Sequence, residues 1–201
     1  MADALPEVWI ARHGETEWTI STRHTGRTDI PLTAHGEAEA RRLRARLAGA
    51  AFARVWTSPL ARARRTCELA GYGDVAQADD DLREWDYGDF EGLTHDAILA
   101  RAPGWKVFDD GAPGGESVAD VSARADRVIA RLRADGGTAL LFGHGHFSRV
   151  LGARWLGLPV SGAGLLLLST SAVSVLGYDH GFDEPAIRLW NDTHHLAPEA
   201  G

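Results

Sequence analysis

Three short apolar segments of this 201-residue chain end in residues suited to binding anions, and this pattern constrains the fold most strongly. The segments span residues 8–11, 54–57 and 138–142. They are followed in turn by Arg12-His13-Gly14, Ser58-Pro59 and Gly143-His144-Gly145. Amphipathic stretches separate them, as is typical of alternating strands and helices. The pattern predicts an α/β protein, a three-layer α/β/α sandwich with a mostly parallel central sheet.

Helix signals fall between these strands. Thr33 is predicted to cap one helix, and Ser58, with a proline in the first turn, is predicted to cap the next. Ser117 and Asp120 have the spacing of a capping box, which predicts a third helix. Residues 147–156 are predicted to form a further helix.

Two other regions have distinct patterns. Residues 82–115 are rich in Gly, Asp and aromatic residues, which predicts an inserted loop region with one short helix near residues 94–99. Residues 165–168 and 172–176 are predicted to form a hairpin, followed by a last strand at residues 187–190.

Composition limits the class of protein. The length predicts one domain over residues 1–201, and the apolar content of 44% is ordinary for a globular protein. The net charge of −7 argues against nucleic acid or an anionic membrane as partner, because both favour a basic surface. Cys67 is the only cysteine, and no signal peptide or long apolar run is present, so we expect a cytoplasmic protein.

The polar residues after the three strands are predicted to form one site. Ligands of open α/β sheets bind beyond the carboxyl ends of the strands. If the strands are parallel neighbours, two arginines and two histidines converge there: Arg12, His13, Arg62 and His144. Arginine matches the geometry of phosphate oxygens, and glycine, as at Gly145, lets the backbone approach an anion. The cluster therefore predicts a site for a dianionic phosphoryl group.

Such a site could also transfer the phosphoryl group. Neutral imidazole is a competent nucleophile near neutral pH, so one histidine could accept it. A carboxylic acid must then protonate the leaving oxygen, and Glu84, beside aromatic residues, is the candidate. Asp86, Asp89 and Glu91 are its rivals in the same segment.

The chain resembles a known family over nearly its whole length. The matching segments are ARHGETEW, TGRTDIPLTAHGEAEA, SPLARARRT, LREWDYGDFEG, GGESVADVSARAD and FGHGHFSR, in that order. They are similar to the motifs of the histidine phosphatase superfamily, also called phosphoglycerate mutase-like, and most of all to its small bacterial acid phosphatases. The resemblance implies the phosphoglycerate mutase-like fold and a phosphatase.

The resemblance also implies residue roles. His13 would be the phosphorylated nucleophile and Glu84 the proton donor, with no metal and no other cofactor. The residues implied to hold the phosphoryl group are Arg12, Thr25, Gly26, Arg62, His144 and Gly145. The implied partner is a small phosphorylated substrate, and a homodimer is one assembly found in the family.

Two positions depart from the family pattern. Thr19 stands where many members have an asparagine that helps to hold phosphate, and His146 stands where glycine is usual. We interpret His146 as a pocket residue. His194 and His195 lack further ligands at zinc spacing, so we predict no metal site.

Two alternative functions stay open. A phosphoglycerate mutase must hold the substrate carboxylate, yet residues 85–116 offer only Arg101 and Lys106 as basic residues. We therefore favour water as the phosphoryl acceptor. A member that binds phosphorylated ligands without turnover is the other alternative, because a fold does not guarantee activity.

Overall fold

A six-stranded sheet forms the centre of the computed structural model, which describes residues 5–197. The strands along the chain are β1 (Val8–Arg12), β2 (Arg54–Thr57), β3 (Gln77–Ala78), β4 (Ala139–Gly143), β5 (Val173–Tyr178) and β6 (Pro185–Asp192). Their order in space is β3-β2-β4-β1-β5-β6. The first four of these neighbours run parallel, whereas β5 and β6 pair antiparallel. The predicted mostly parallel sheet is confirmed.

Helices cover both faces of the sheet. They are α1 (Glu17–Ile20), α2 (Ala34–Leu47), α3 (Ala61–Leu69), α4 (His95–Arg101), α5 (Val107–Asp110), α6 (Val118–Asp135) and α7 (Gly145–Trp155). Apolar side chains of α2 and α3 share one core with β1, β2 and β4, for example Leu43 with Phe142. The helices α4 to α7 share the second core, on the other face, where Val128 and Phe147 pack with Ile10. The three-layer α/β/α arrangement is therefore confirmed.

Local sequence signals explain two of the long helices. The Thr33 side chain accepts a hydrogen bond from the N–H of Gly36 and caps α2. Ser117 and Asp120 form the expected capping box at the start of α6. Both caps satisfy N–H groups that have no partner within the helix.

The predicted cap at Ser58 is wrong. The helix α3 begins at Ala61, and its cap residue, Leu60, makes no side-chain hydrogen bond. The Ser58 hydroxyl lies 2.7 Å from Nε2 of His144 and contacts the Leu60 N–H at 3.3 Å. The Ser58 hydroxyl, predicted to cap α3, is thus bonded to His144, which is distant in sequence.

The predicted hairpin of residues 165–168 with residues 172–176 is also wrong. The strand β5 pairs instead with β1 and β6, which occupy both of its edges. The preceding apolar residues lie in a short 3₁₀ helix, Val160–Leu165, and the loop after it. The loop's carbonyl oxygens at Leu167 and Leu168 accept hydrogen bonds from side chains of Trp190 and Arg12.

The inserted region contains more regular structure than predicted. Residues 82–115 hold α4, near the predicted position, and also α5 and the 3₁₀ helix Gly88–Phe90. Trp105 and Phe108 are buried in the core of that face, which explains why this polar segment folds over the sheet.

The structure also describes the single cysteine and the apolar character of the helices. Cys67 is 1% exposed, and burial raises the pKa of its thiol to about 12, so it is a core residue and no nucleophile. Within residues 5–197, every helix is too short or too polar to cross a lipid bilayer.

The carboxyl ends of β1, β2 and β4 meet at one edge of the sheet. The N–H of His13 donates to the carbonyl of Gly143 at 3.0 Å, and the N–H of Ser58 donates to that of Phe142 at 2.9 Å. Arg12 is the register partner of Gly143. Pairing of the parallel strands therefore brings the predicted residues together.

The loop after β1 is fixed by a close backbone approach to α2. A Cβ atom on Gly36 would lie 2.6 Å from the backbone N of Glu15 and closer still to its carbonyl oxygen. A Cβ atom on Gly14 would in turn lie 3.0 Å from the carbonyl carbon of Gly36. Only glycine at both positions lets the loop that carries His13 rest on the start of α2.

We expect Gly36→Ala to destabilise the protein by about 2–3 kcal/mol, because the new methyl group overlaps backbone that cannot rotate away. Gly164→Ala is the matched control, since its Cβ would meet only Phe108 at 3.8 Å. Urea unfolding of both variants measures the difference. Equal midpoints for the two variants would show that the close approach does not constrain the loop.

Candidate active site

His13 directly follows β1 and is 4% exposed. Its Nδ1 lies 2.7 Å from the carbonyl oxygen of Gly14. A carbonyl oxygen only accepts, so we assign the ring proton to Nδ1. The other ring nitrogen, Nε2, then keeps its lone pair, which is the form of histidine that can act as a nucleophile.

The surroundings of His13 favour its neutral form. Burial lowers the pKa of His13 well below its ordinary value, and the positive charges of Arg62 and Arg12 lower it further. Burial likewise lowers the pKa of His144 well below its ordinary value, again with help from Arg62. Both imidazoles are therefore uncharged at neutral pH and into the acidic range.

Arg62 and His144 form a buried pair behind His13. The His144 ring centroid lies 5.2 Å from that of His13. The Arg62 Nε–H donates to Nδ1 of His144 at 3.2 Å, and the His144 Nε2–H donates to the Ser58 hydroxyl. The other N–H groups of Arg62 donate to carbonyl oxygens at 2.9–3.0 Å, those of Thr25, Gly26 and Thr28.

Glu84 follows the 3₁₀ helix Asp80–Leu82, is 6% exposed, and its carboxylate contacts the start of α7. Its carboxylate accepts hydrogen bonds from the N–H groups of His146 at 2.9 Å and Phe147 at 2.8 Å, and from Trp85 at 2.9 Å. The His146 and Phe147 donors belong to the first turn of α7, whose positive dipole end attracts an acidic group. The helix therefore fixes the orientation of the carboxyl group.

The rivals of Glu84 have other contacts. The Glu91 carboxylate accepts from the N–H groups of Gly26 and Thr28 and so holds the preceding loop. Asp86 forms an ion pair with Arg27. Of the four carboxylates in this segment, Glu84 lines the cleft described below.

An ion pair between Arg124 and Glu116 holds the backbone of residues 81–86. Arg124, 7% exposed, donates to the carbonyl oxygens of Asp81 and Arg83 and pairs with Glu116 at 2.7 Å. Glu116 in turn accepts the N–H of Asp86 at 3.0 Å. Sequence reasoning missed this support, although both residues belong to the GGESVADVSARAD segment that resembled a family motif.

A cleft of about 200 Å³ opens in front of His13. The predicted site residues that line it are Arg12, His13, Thr25, Glu84 and Gly145. Arg12 is half-buried, and its Nε is a buried atom without a hydrogen-bond partner among the described residues. Burial lowers the pKa of Arg12, while the negative charge of Glu84 opposes that effect. Because Arg12 lines the cleft, its guanidinium can pair with an anion there.

Three predicted phosphate ligands stand apart from the cleft wall. Arg62 and His144 lie behind His13, and the Gly26 N–H is bonded to Glu91. Their contact with phosphate stays a prediction. Thr19 does line the cleft, although its hydroxyl is also part of the capping box of α1 with Thr16.

Several lining residues were not predicted from the sequence. Arg23, His24, Tyr87 and Arg149 line the cleft, together with His146, which had been interpreted as a pocket residue. They come from separate loops and from α7, so no local spacing connects them. The Tyr87 hydroxyl is hydrogen-bonded to Nδ1 of His146.

One group of residues within 5–197 could hold a metal ion together. It consists of Asp179, His180 and Glu184, all exposed. They lie at the turn between β5 and β6, at the opposite end of the sheet from His13. Their position separates them from the cleft.

Comparison with known proteins identifies the family. Residues 8–193 match the model of the histidine phosphatase superfamily, branch 1. The chain belongs to this superfamily, which confirms the resemblance noted in the sequence and the expectation of a phosphatase-class enzyme.

Named relatives span most of the chain. An acid phosphatase of Mycobacterium tuberculosis is 37% identical over 187 residues, which cover 89% of each chain. A sedoheptulose 1,7-bisphosphatase of Saccharomyces cerevisiae is 36% identical, covering 80% of this chain and 71% of the yeast protein. A solved open reading frame product of Mycobacterium tuberculosis superposes with a TM-score of 0.88 at 35% identity, covering 92% of this chain and 97% of the other.

The lowered pKa of His13 predicts activity that persists at acidic pH. A nucleophile whose pKa lies below its ordinary value loses its lone pair only at lower pH. Between about pH 7 and pH 5.5, kcat/KM corrected for ionisation of the substrate should therefore not fall, because His13 keeps its lone pair over this range. Phosphate release from p-nitrophenyl phosphate measures it. A roughly tenfold fall with a midpoint near 6.5, the ordinary value, would contradict the neutral buried imidazole.

Proposed function

We propose that this chain is a metal-independent phosphomonoester hydrolase of the acid phosphatase type. It acts through a phosphohistidine on His13, with Glu84 as proton donor. The observation that carries the proposal is the contact of His13 Nδ1 with the Gly14 carbonyl, which assigns the ring proton to Nδ1 and leaves Nε2 free in a cleft that Arg12 also lines. The family and the acid phosphatase relative support the same reaction.

The first half of the reaction transfers the phosphoryl group to the protein. The phosphate dianion binds at Arg12, and Nε2 of His13 attacks phosphorus in line with the leaving oxygen. The P–N bond forms as the P–O bond breaks. Protonated Glu84 gives its proton to the leaving oxygen, which departs as an alcohol.

The second half returns the enzyme to its starting state. A water molecule attacks the phosphorus of the phosphohistidine, and the carboxylate of Glu84 takes one of its protons. The P–N bond breaks, inorganic phosphate leaves, and Glu84 is again protonated. Because Glu84 must be protonated in the first half, we expect an acidic optimum.

The nucleophile is tested with His13→Asn. We expect kcat for p-nitrophenyl phosphate in EDTA to fall by at least about 10³-fold with folding retained, because the acceptor of the phosphoryl group is gone. Mass spectrometry after an alkaline quench should find a phosphoryl adduct on wild-type His13. His35→Asn, at an exposed histidine, is the control. Full activity of His13→Asn, or activity that EDTA removes and zinc restores, would refute the proposal.

The proton donor is tested with Glu84→Gln. For glycerol 2-phosphate, whose alkoxide leaves only when protonated, we expect phosphorylation of the enzyme to slow by about 10²–10⁴-fold. For 2,4-dinitrophenyl phosphate, whose leaving group needs no proton, pre-steady-state release of the phenolate should change far less. Asp89→Asn, at an exposed rival carboxylate, is the control. Equal slowing for both substrates would assign Glu84 a role other than proton donor.

A phosphoglycerate mutase is the second candidate, and one structural observation favours it. Arg23 lines the cleft, so a cation from outside residues 85–116 is available to a substrate carboxylate. Phosphorus NMR with 3-phosphoglycerate and a trace of 2,3-bisphosphoglycerate in EDTA separates the two reactions. Isomerisation faster than phosphate release would establish the mutase. Phosphopeptide binding without any turnover would identify the non-catalytic alternative.

A further inference from the structure

A second cavity, of about 460 Å³, adjoins the cleft in front of His13. The two share three lining residues, His24, His146 and Arg149. A leaving group longer than the cleft in front of His13 therefore has space to extend past these residues into the second cavity, which we name the side cavity.

Five of the twelve residues that line the side cavity carry aromatic rings. The His24 ring centroid lies 5.4 Å from that of Trp105 and 6.5 Å from that of His95, whose plane is within 29° of parallel to His24. Phe108 and His146 form another pair, 5.1 Å apart. Faces and edges of such rings attract a flat unsaturated ring more than a flexible polar chain.

The charges of the side cavity do not form a second phosphate site. Arg149 donates to the carbonyl oxygens of Ala163 and Gly164, and its guanidinium lies over the Phe108 ring at 4.6 Å. Lys106 and Asp109 also line the cavity with opposite charges. His24 and His146 contribute no fixed positive charge to the wall, because burial lowers the pKa of each of them.

We propose that the side cavity is the leaving-group subsite and selects phosphomonoesters whose leaving group carries a flat, unsaturated ring without a second phosphate. The inference deepens the proposed function and rests on it for the direction of the leaving group. His95 is exposed on α4, so its truncation leaves the core intact.

Binding of phosphonates tests the subsite without turnover. We expect 1-naphthylphosphonate to bind at least about tenfold more tightly than propylphosphonate, and His95→Ala to reduce this ratio about threefold to fivefold, since it removes one ring contact. His180→Ala, at an exposed histidine of the β5–β6 turn, should leave the ratio within error. A ratio near one in the wild type, or one unchanged by His95→Ala, overturns the proposal.

Competition between fructose 1,6-bisphosphate and 1-naphthylphosphonate tests whether the side cavity binds a second phosphate. Binding of this ligand more tightly than 1-naphthylphosphonate would make the side cavity a second anion site and also overturn the inference. The failure of the proposed function looks different: the phosphonates would bind with the expected ratio, but 1-naphthyl phosphate would not be hydrolysed. If the protein hydrolyses both aryl and alkyl phosphates but binds the aryl and alkyl phosphonates equally, the proposed subsite is wrong and the proposed function stands.

Discussion

The buried guanidinium of Arg62 is the interaction on which the rest of the site depends. It is fully buried on α3 and donates hydrogen bonds to His144 and to three carbonyl oxygens of residues 25–28. A buried charge is costly unless its donors are satisfied, so the loop and the end of β4 are held where they can accept these bonds. One side chain thereby connects three segments distant in sequence.

The same cation determines the chemistry beside it. Arg62 and Arg12 lie near His13 in a site shielded from water, so the imidazole stays neutral and keeps its nucleophilic lone pair. The carboxyl of Glu84 is aligned separately by the first turn of α7, and Arg124 holds the backbone before it. The proposed nucleophile, the proposed proton donor and the cations are thus held by different elements, and the cleft lies between them. Such fixed dipoles and charges need little rearrangement during a reaction.

The places where sequence reasoning failed have a common cause. Ser58 has every local property of a helix cap, but its hydroxyl is bonded to His144, 86 positions away. Residues 165–168 are apolar enough for a strand, yet β5 has both edges occupied by β1 and β6. In each case a partner distant in sequence outweighed a local preference, which is a weak determinant on its own.

The sequence by itself determined the alternation of strands and helices, the caps at Thr33 and Ser117, and the convergence of Arg12 and His13 with the residues after the other strands. These follow from local periodicity and from the rule that parallel strands present their carboxyl ends at one edge. Only the tertiary structure decided that Arg62 lies behind the cleft wall, and that His24 joins the cleft to the side cavity. Loop contacts of that kind depend on packing between segments far apart in the chain, and no periodicity in the sequence encodes them.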